Sequence, residues 1–292
     1  MNTYLWLFRR EVWENRAIWL LPAIVGGLLL IVALFGHIQV DEWPRQLSDQ
    51  QLRVLGPMVA GGIGTAMFLI MSVYTSWYLL DCLYADRKDR SVLFWKSLPV
   101  TDTQTVLSKL AMALLVIPLV YFVIADITAL AVSFVLSVRG GSPFAQALWH
   151  PLDWLQLQVM AVYAILTAAL WFLPFSAWLL FVSSWARRSV MLWALLIPVA
   201  GCFIESRLLG TSLLRDVLLA HLLGYGKSAF HDESHFTHHA MIGNGHLNTP
   251  DALSEFVNLG GFLSSGEMWA GVVVGAALVG ATIYMRHRFT EI

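Results

Sequence analysis

Three stretches hold residue types that could do chemistry. The segment "HDESHFTHH" at 231–239 sets His231, His235 and His238 at spacings of four and three. On a helix these imidazoles share one face and suit zinc or copper, with Asp232 or Glu233 as an oxygen ligand. The order His-Glu-x-x-His is absent, which removes the familiar metallohydrolase pattern. A solvated loop whose charge responds to pH is the other reading. The segment "GYGKS" at 224–228 resembles a phosphate-binding loop only at its end. A Walker A loop needs Gly five residues before the Gly-Lys pair, and that position is His221. ATP hydrolysis by a P-loop mechanism is therefore excluded for this chain. Asp126 lies within an apolar run, where an ionised carboxylate costs about 2.5–3.5 kcal/mol. It must be protonated, hydrogen-bonded to a hydroxyl on a neighbouring span, or turned toward a polar path.

These residues sit in a chain that is 58% hydrophobic and 13% charged over 292 residues, with 13 Trp and 16 Phe. Its mean hydropathy of +0.67 leaves too little polar surface for a soluble globule, so an all-α integral membrane protein is expected. A net charge of -1 argues against nucleic acid as a partner, because phosphate recognition needs a basic field. Cys82 and Cys202 form neither a disulfide framework nor a CxxC pair.

About 20 apolar residues cross a bilayer core about 30 Å thick. Six such runs occur, at Ala17–Gly36, Val54–Leu80, Val106–Val138, Leu157–Ser183, Ser189–Glu205 and Met268–Met285. With the N-terminus inside, the cytoplasmic ends hold 12 of the 18 Lys and Arg residues. Both termini are then cytoplasmic by the positive-inside rule. Trp43, Trp149, Trp154 and Trp269 mark the outer interface; Trp6, Trp13, Trp77, Trp95, Trp185 and Trp193 mark the inner one. Residues 3–16 predict an amphipathic helix on the membrane surface, with Tyr4, Leu5, Phe8 and Val12 on its apolar stripe.

Capping chemistry sets the boundaries. Thr101-Asp102-Thr103-Gln104 is a capping box opening the third span, and Ser264-Ser265-Gly266-Glu267 is a second box before the sixth. Thr249-Pro250-Asp251 predicts the start of a short helix over 252–262, broken by Gly260 and Gly261. It is either a re-entrant piece or an ordinary surface helix within a long outer loop, 206–267. In the second span Gly56, Ala60 and Gly64 recur every four residues, a pattern for sliding or for a seam with a second copy. Gly271 and Gly275 in the sixth read as intramolecular packing. Pro118, Pro174 and Pro198 are candidates for kinks.

The third span's helix starts near Asp102, runs to about Val138 and is on the order of 50 Å long. It therefore projects beyond the bilayer, as the second span does past Leu80. At their joint tip lies a polar loop, 85–103, containing Asp86, Arg87, Lys88, Asp89 and Arg90, then Val92, Leu93, Phe94, Trp95 and Leu98. Asp86 and Arg90 have the spacing of an i,i+4 pair. Large apolar side chains beside charge, held off the membrane, suit a groove in a soluble partner or a helix lying on the bilayer.

Together these features resemble the permease subunit of a type 2 (ABC-2-like) ATP-binding-cassette exporter. The loop "DRKDRSVLFWKSLPVTDTQTVLSK" carries the resemblance in its basic-acidic start, its Leu-Pro-Val-Thr step and its Val-Leu-Ser-Lys return. The resemblance covers the whole chain in architecture and about 25 residues in motif. It implies an elbow helix at 1–16 and a coupling helix at 86–98 that docks on a separate ATPase. ATP and Mg would be bound by that partner, with no cofactor on this chain, no catalytic residue, and a second permease copy completing a dimer in the bacterial inner membrane. The outer loop, 206–267, is longer and richer in His than the family pattern. The competing class is a polytopic membrane enzyme or metal-handling protein that uses the outer His cluster.

Overall fold

In the computed structural model, the structure of the protein is described for residues 3–36, 55–88, 100–141, 145, 148, 149, 151–230 and 257–288. Among these the fold is helical, and the only β-type pairing is a bridge between Phe230 and Val257. The elements are α1 (Thr3–Glu14), α2 (Ala17–Phe35), α3 (Leu55–Lys88), α4 (Asp102–Ala111), a π-helical turn (Met112–Val116) and α5 (Ile117–Gly140). They continue with α6 (Pro151–Trp171), α7 (Leu173–Trp185), α8 (Val190–Leu208), α9 (Leu213–Leu223), α10 (Tyr225–Ala229), α11 (Leu259–Ser264) and α12 (Gly266–Arg288).

Six helical stretches are long and apolar enough to cross a membrane: Ala17–Phe35, Met58–Lys88, Asp102–Gly140, Trp154–Trp171, Val190–Leu208 and Gly266–Arg288. This is the architecture of a multi-pass membrane protein. Large apolar side chains on the outer faces, such as Leu28, Val73, Ile127 and Val199, are exposed, as hydrocarbon contact requires.

The fourth predicted span is not one helix. The apolar run at 157–183 breaks at Phe172 (φ -87°, ψ 6°) and restarts as α7, which has Pro174 in its first turn. Proline lacks an N–H and its ring clashes with the carbonyl four residues back. Hydropathy cannot register this, because the run stays apolar across the break. Pro118 acts more gently. It follows the π-helical turn, where the Ile117 N–H reaches the Met112 carbonyl, so the third span accommodates its proline with a bulge instead of a break.

Packing is tightest where glycine admits a neighbour. A Cβ at Gly26 of α2 would collide with Thr128 of α5. On α12, a Cβ at Gly271 would meet the His221 ring at 2.5 Å, and one at Gly275 would meet Leu173 Cγ at 2.8 Å and the Pro174 nitrogen at 3.1 Å. The GxxxG of the last span therefore serves contacts within this chain, against α7 and α9. Gly64, by contrast, faces open space.

Two arginines close helix C-termini from neighbouring helices. Arg139 of α5 donates to the carbonyls of Ala33 (2.6 Å) and Gly36 (3.1 Å), at the end of α2. Arg87 of α3 donates to those of Ser183 (2.6 Å) and Ala186 (2.8 Å), at the end of α7. Each satisfies carbonyls that lack a helical partner and matches the negative end of the helix dipole.

Two boundaries differ from expectation. Gly260 and Gly261 lie inside α11 and do not break it: Asn258 caps that helix by accepting from the Gly261 N–H at 2.9 Å. The cap of α12 is Ser265, whose Oγ accepts from the Met268 N–H at 3.4 Å, one residue later than the predicted box. Ser264 instead donates back to the Gly261 carbonyl. Thr249, Pro250 and Asp251 lie outside the described residues.

Candidate functional site

At the end of the bundle where α3 finishes and α4 begins, four helices contribute to one buried charge network. Glu11 on α1 and Lys109 on α4 are each 2% exposed, and their Nζ–Oε1 distance is 3.0 Å. Tyr78 of α3 donates its hydroxyl to the other carboxylate oxygen at 2.9 Å, and Arg10 donates to Oε1 at 3.0 Å. Burial pushes the Glu11 carboxyl up, but the Lys109 ammonium, its hydrogen bond, and Arg10 outweigh this. The carboxyl is held below its ordinary value of 4.5.

The network continues from Lys109 to Asp86 of α3 at 3.5 Å, and from Asp86 to Arg286 of α12 at 3.5 Å. Arg286 then donates through Nε to Asp102 of α4 at 2.9 Å. The position of Asp102 is set locally. The predicted Thr101 capping box is formed: the Gln104 N–H donates to Thr101 Oγ1, and the Thr101 N–H donates to Gln104 Oε1. This fixes the first turn of α4 and places an acidic residue where the helix dipole favours it.

Asp86 and Asp102 stand on opposite sides of the polar loop, and Arg286 holds both. The two feet of that loop are thereby clamped to each other, to the last span and, through Lys109 and Glu11, to α1. A buried ion network of this kind is costly to form and more costly to break, because removing one partner strands the other in low dielectric. Its carboxylates are engaged by cations, so it is built to join helices rather than to move protons.

Among the residues singled out from the sequence, the structure brings Asp86 into this network and uses Arg87 to close α7, while Lys88 is exposed at the end of α3. Asp89, Arg90, Val92, Leu93, Phe94, Trp95 and Leu98 lie outside the described residues, as does the proposed Asp86–Arg90 pair. Asp126 finds its partner on the neighbouring α6, but in an amide and not a hydroxyl: Gln158 Nε2 donates to Oδ1 at 2.6 Å. His231, His235 and His238 also lie outside the described residues. Among those that are described, no group of three metal-ligating side chains is assembled.

Glu11, Lys109 and Arg286 were not singled out as site residues from the sequence, and Asp102 was read only as part of the capping box. A signal was present. Glu11 shares the buried side of α1 with Leu7, so it is a carboxylate on an otherwise apolar face. Lys109 is likewise a lone cation within the predicted third span. Neither identifies the other without the tertiary fold.

The opposite end of the bundle is closed by aromatic packing. Trp171 is fully buried and stacks on His221 with centroids 4.8 Å apart and planes 9° from parallel. The Trp171 Nε1–H donates to the His221 carbonyl at 2.6 Å, and His221 Nε2 lies 2.7 Å from the Trp171 carbonyl. "GYGKS" falls here as a packing element. Tyr225 donates its hydroxyl to the Ala164 carbonyl at 2.9 Å, and Ala229 is buried beside Trp171 and Phe262.

Fold and site together define a polytopic helical membrane protein with a charge clamp at the foot of its polar loop. No family model, curated protein or solved structure matches the chain.

Proposed function

We propose that this chain is the membrane-spanning permease subunit of an ATP-driven ABC exporter, moving an amphipathic substrate. The observation that carries the proposal is Arg286 bridging Asp86 and Asp102. A loop that only decorates a membrane protein does not need both feet bolted to the last span and to an N-terminal surface helix. A loop that receives force does, because a push at its tip then moves α1, α3, α4 and α12 as one body. In this reading residues 86–98 are the coupling helix, α1 is the elbow, and a separate ATPase with its ATP and Mg docks from the cytoplasm. The permease works as a dimer in the inner membrane and does no covalent chemistry itself. The resemblance of the loop to the type 2 exporter pattern supports the same reading.

Purification of the full chain in mild detergent from its native host tests this. Recovery of a Walker-motif ATPase is expected, and it should be lost when Lys88 and Arg90 are reversed to Glu. Arg87 is unsuitable for such a test because it closes α7. An intact complex in the Lys88→Glu, Arg90→Glu variant, or no ATPase with wild type, would refute the docking.

A further inference from the structure

We propose that the outward face of α1 is a binding site for an anionic phospholipid headgroup, built from Arg9 between Trp6 and Trp13. The Arg9 guanidinium carbon lies over both indoles, 5.5 Å from the Trp6 ring centroid and 5.2 Å from that of Trp13. Both rings are far from buried, at 53% and 68% exposed. The opposite face of the same helix is anchored in the bundle through Leu7 and Glu11. The Trp-Arg-Trp face is therefore held fixed and turned outward, with only three residues between Trp13 and the start of the first apolar span at Ala17.

The electrostatics select the occupant. A depression of about 410 Å³ is lined by Trp6, Arg9, Arg10, Trp13 and Glu14. Arg10 and Glu14 pair at 3.3 Å, and Arg10 also binds Glu11 at 3.0 Å. Among the described residues no carboxylate pairs with Arg9, so the depression keeps one uncompensated positive charge. The indoles contact the guanidinium through its carbon, and a guanidinium presents N–H groups in a fork that takes a phosphate in two parallel hydrogen bonds. The indoles on either side suit the glycerol and first methylenes, as tryptophans do at a bilayer interface. A zwitterionic choline headgroup fits less well, because its ammonium would approach the indoles beside the like-charged Arg9 guanidinium.

The test uses the full-length protein in nanodiscs of mixed phosphatidylglycerol and phosphatidylcholine, with retained lipid counted by native mass spectrometry. Wild type is expected to retain phosphatidylglycerol preferentially. Arg9→Gln should lower that retention about tenfold, as expected for loss of a charge-assisted hydrogen bond, and Arg9→Lys should fall between. A second measurement needs no variant: a photoactivatable phosphatidylglycerol cross-linked to wild type should leave its adduct within residues 3–16. Equal retention of the two lipids by wild type, equal retention of phosphatidylglycerol by Arg9→Gln, or adducts wholly outside that segment would overturn the proposal.

Discussion

Glu11 and Lys109 carry the sharpest predictions of any single residues. Both are 2% exposed, so replacing Lys109 with Met leaves a buried carboxylate with only Arg10 and Tyr78 as partners within 3.0 Å and should cost about 3 kcal/mol of stability. Adding Glu11→Leu should recover part of that loss, since Asp86 keeps Arg286 while the Tyr78 hydroxyl loses its acceptor. Thermal unfolding in detergent of the two single variants and the double variant measures this; strictly additive losses would sink it. The pH dependence has a definite sign. The folded-state pKa of Glu11 lies below the 4.5 of an ordinary glutamate, so its stabilisation is fully present above that value and disappears as pH falls through the folded pKa. Below about pH 4.5 the wild type should therefore lose melting temperature faster than Glu11→Gln. Parallel acid limbs for the two proteins would show that the carboxylate is not held as described.

Between helices, the small residues of α12 and α3 behave differently. A methyl group at Gly275 enters the space of Leu173 Cγ and the Pro174 backbone, and backbone yields less readily than a side-chain tip. Gly275→Ala should cost about 1–3 kcal/mol by overpacking. Gly64→Ala meets nothing within 4 Å and should be neutral or stabilise by up to about 1 kcal/mol, the helix-propensity gain of Ala over Gly. If the two variants melt together, the α7–α12 contact is looser than the geometry indicates. Hydropathy exposed five of the six spans well and misjudged the fourth for a physical reason. Apolar content governs partition into a bilayer, whereas the break at Phe172 follows from one missing N–H at Pro174. The short helix before the last span begins later than expected. Two adjacent glycines were expected to end it, yet Asn258 caps it just upstream and they continue inside.

Over the whole molecule, the proposed function puts its weight on the charged loop and the clamp at its base. If α1, α3, α4 and α12 move as a unit, Arg286→Gln should leave ATPase docking intact while uncoupling it from transport. Lys88→Glu with Arg90→Glu should remove docking itself. Measuring complex recovery and substrate efflux on the same preparations separates the two. Equal loss of both in Arg286→Gln would assign the clamp to folding alone.

Composition and hydropathy settled the membrane class and nearly all of the spans, because burying about 20 apolar residues dominates every other local term. The capping box at Thr101 was equally legible, since its partners are three residues apart and its geometry is local. Which charges meet was not legible. Glu11 lies 98 positions from Lys109, and Arg286 lies 184 from Asp102. Each of these residues, taken alone, reads as an interfacial charge. Only the packing of α1, α3, α4 and α12 at one end of the bundle brings them within 4 Å and excludes water, and that exclusion turns scattered surface-type residues into a clamp.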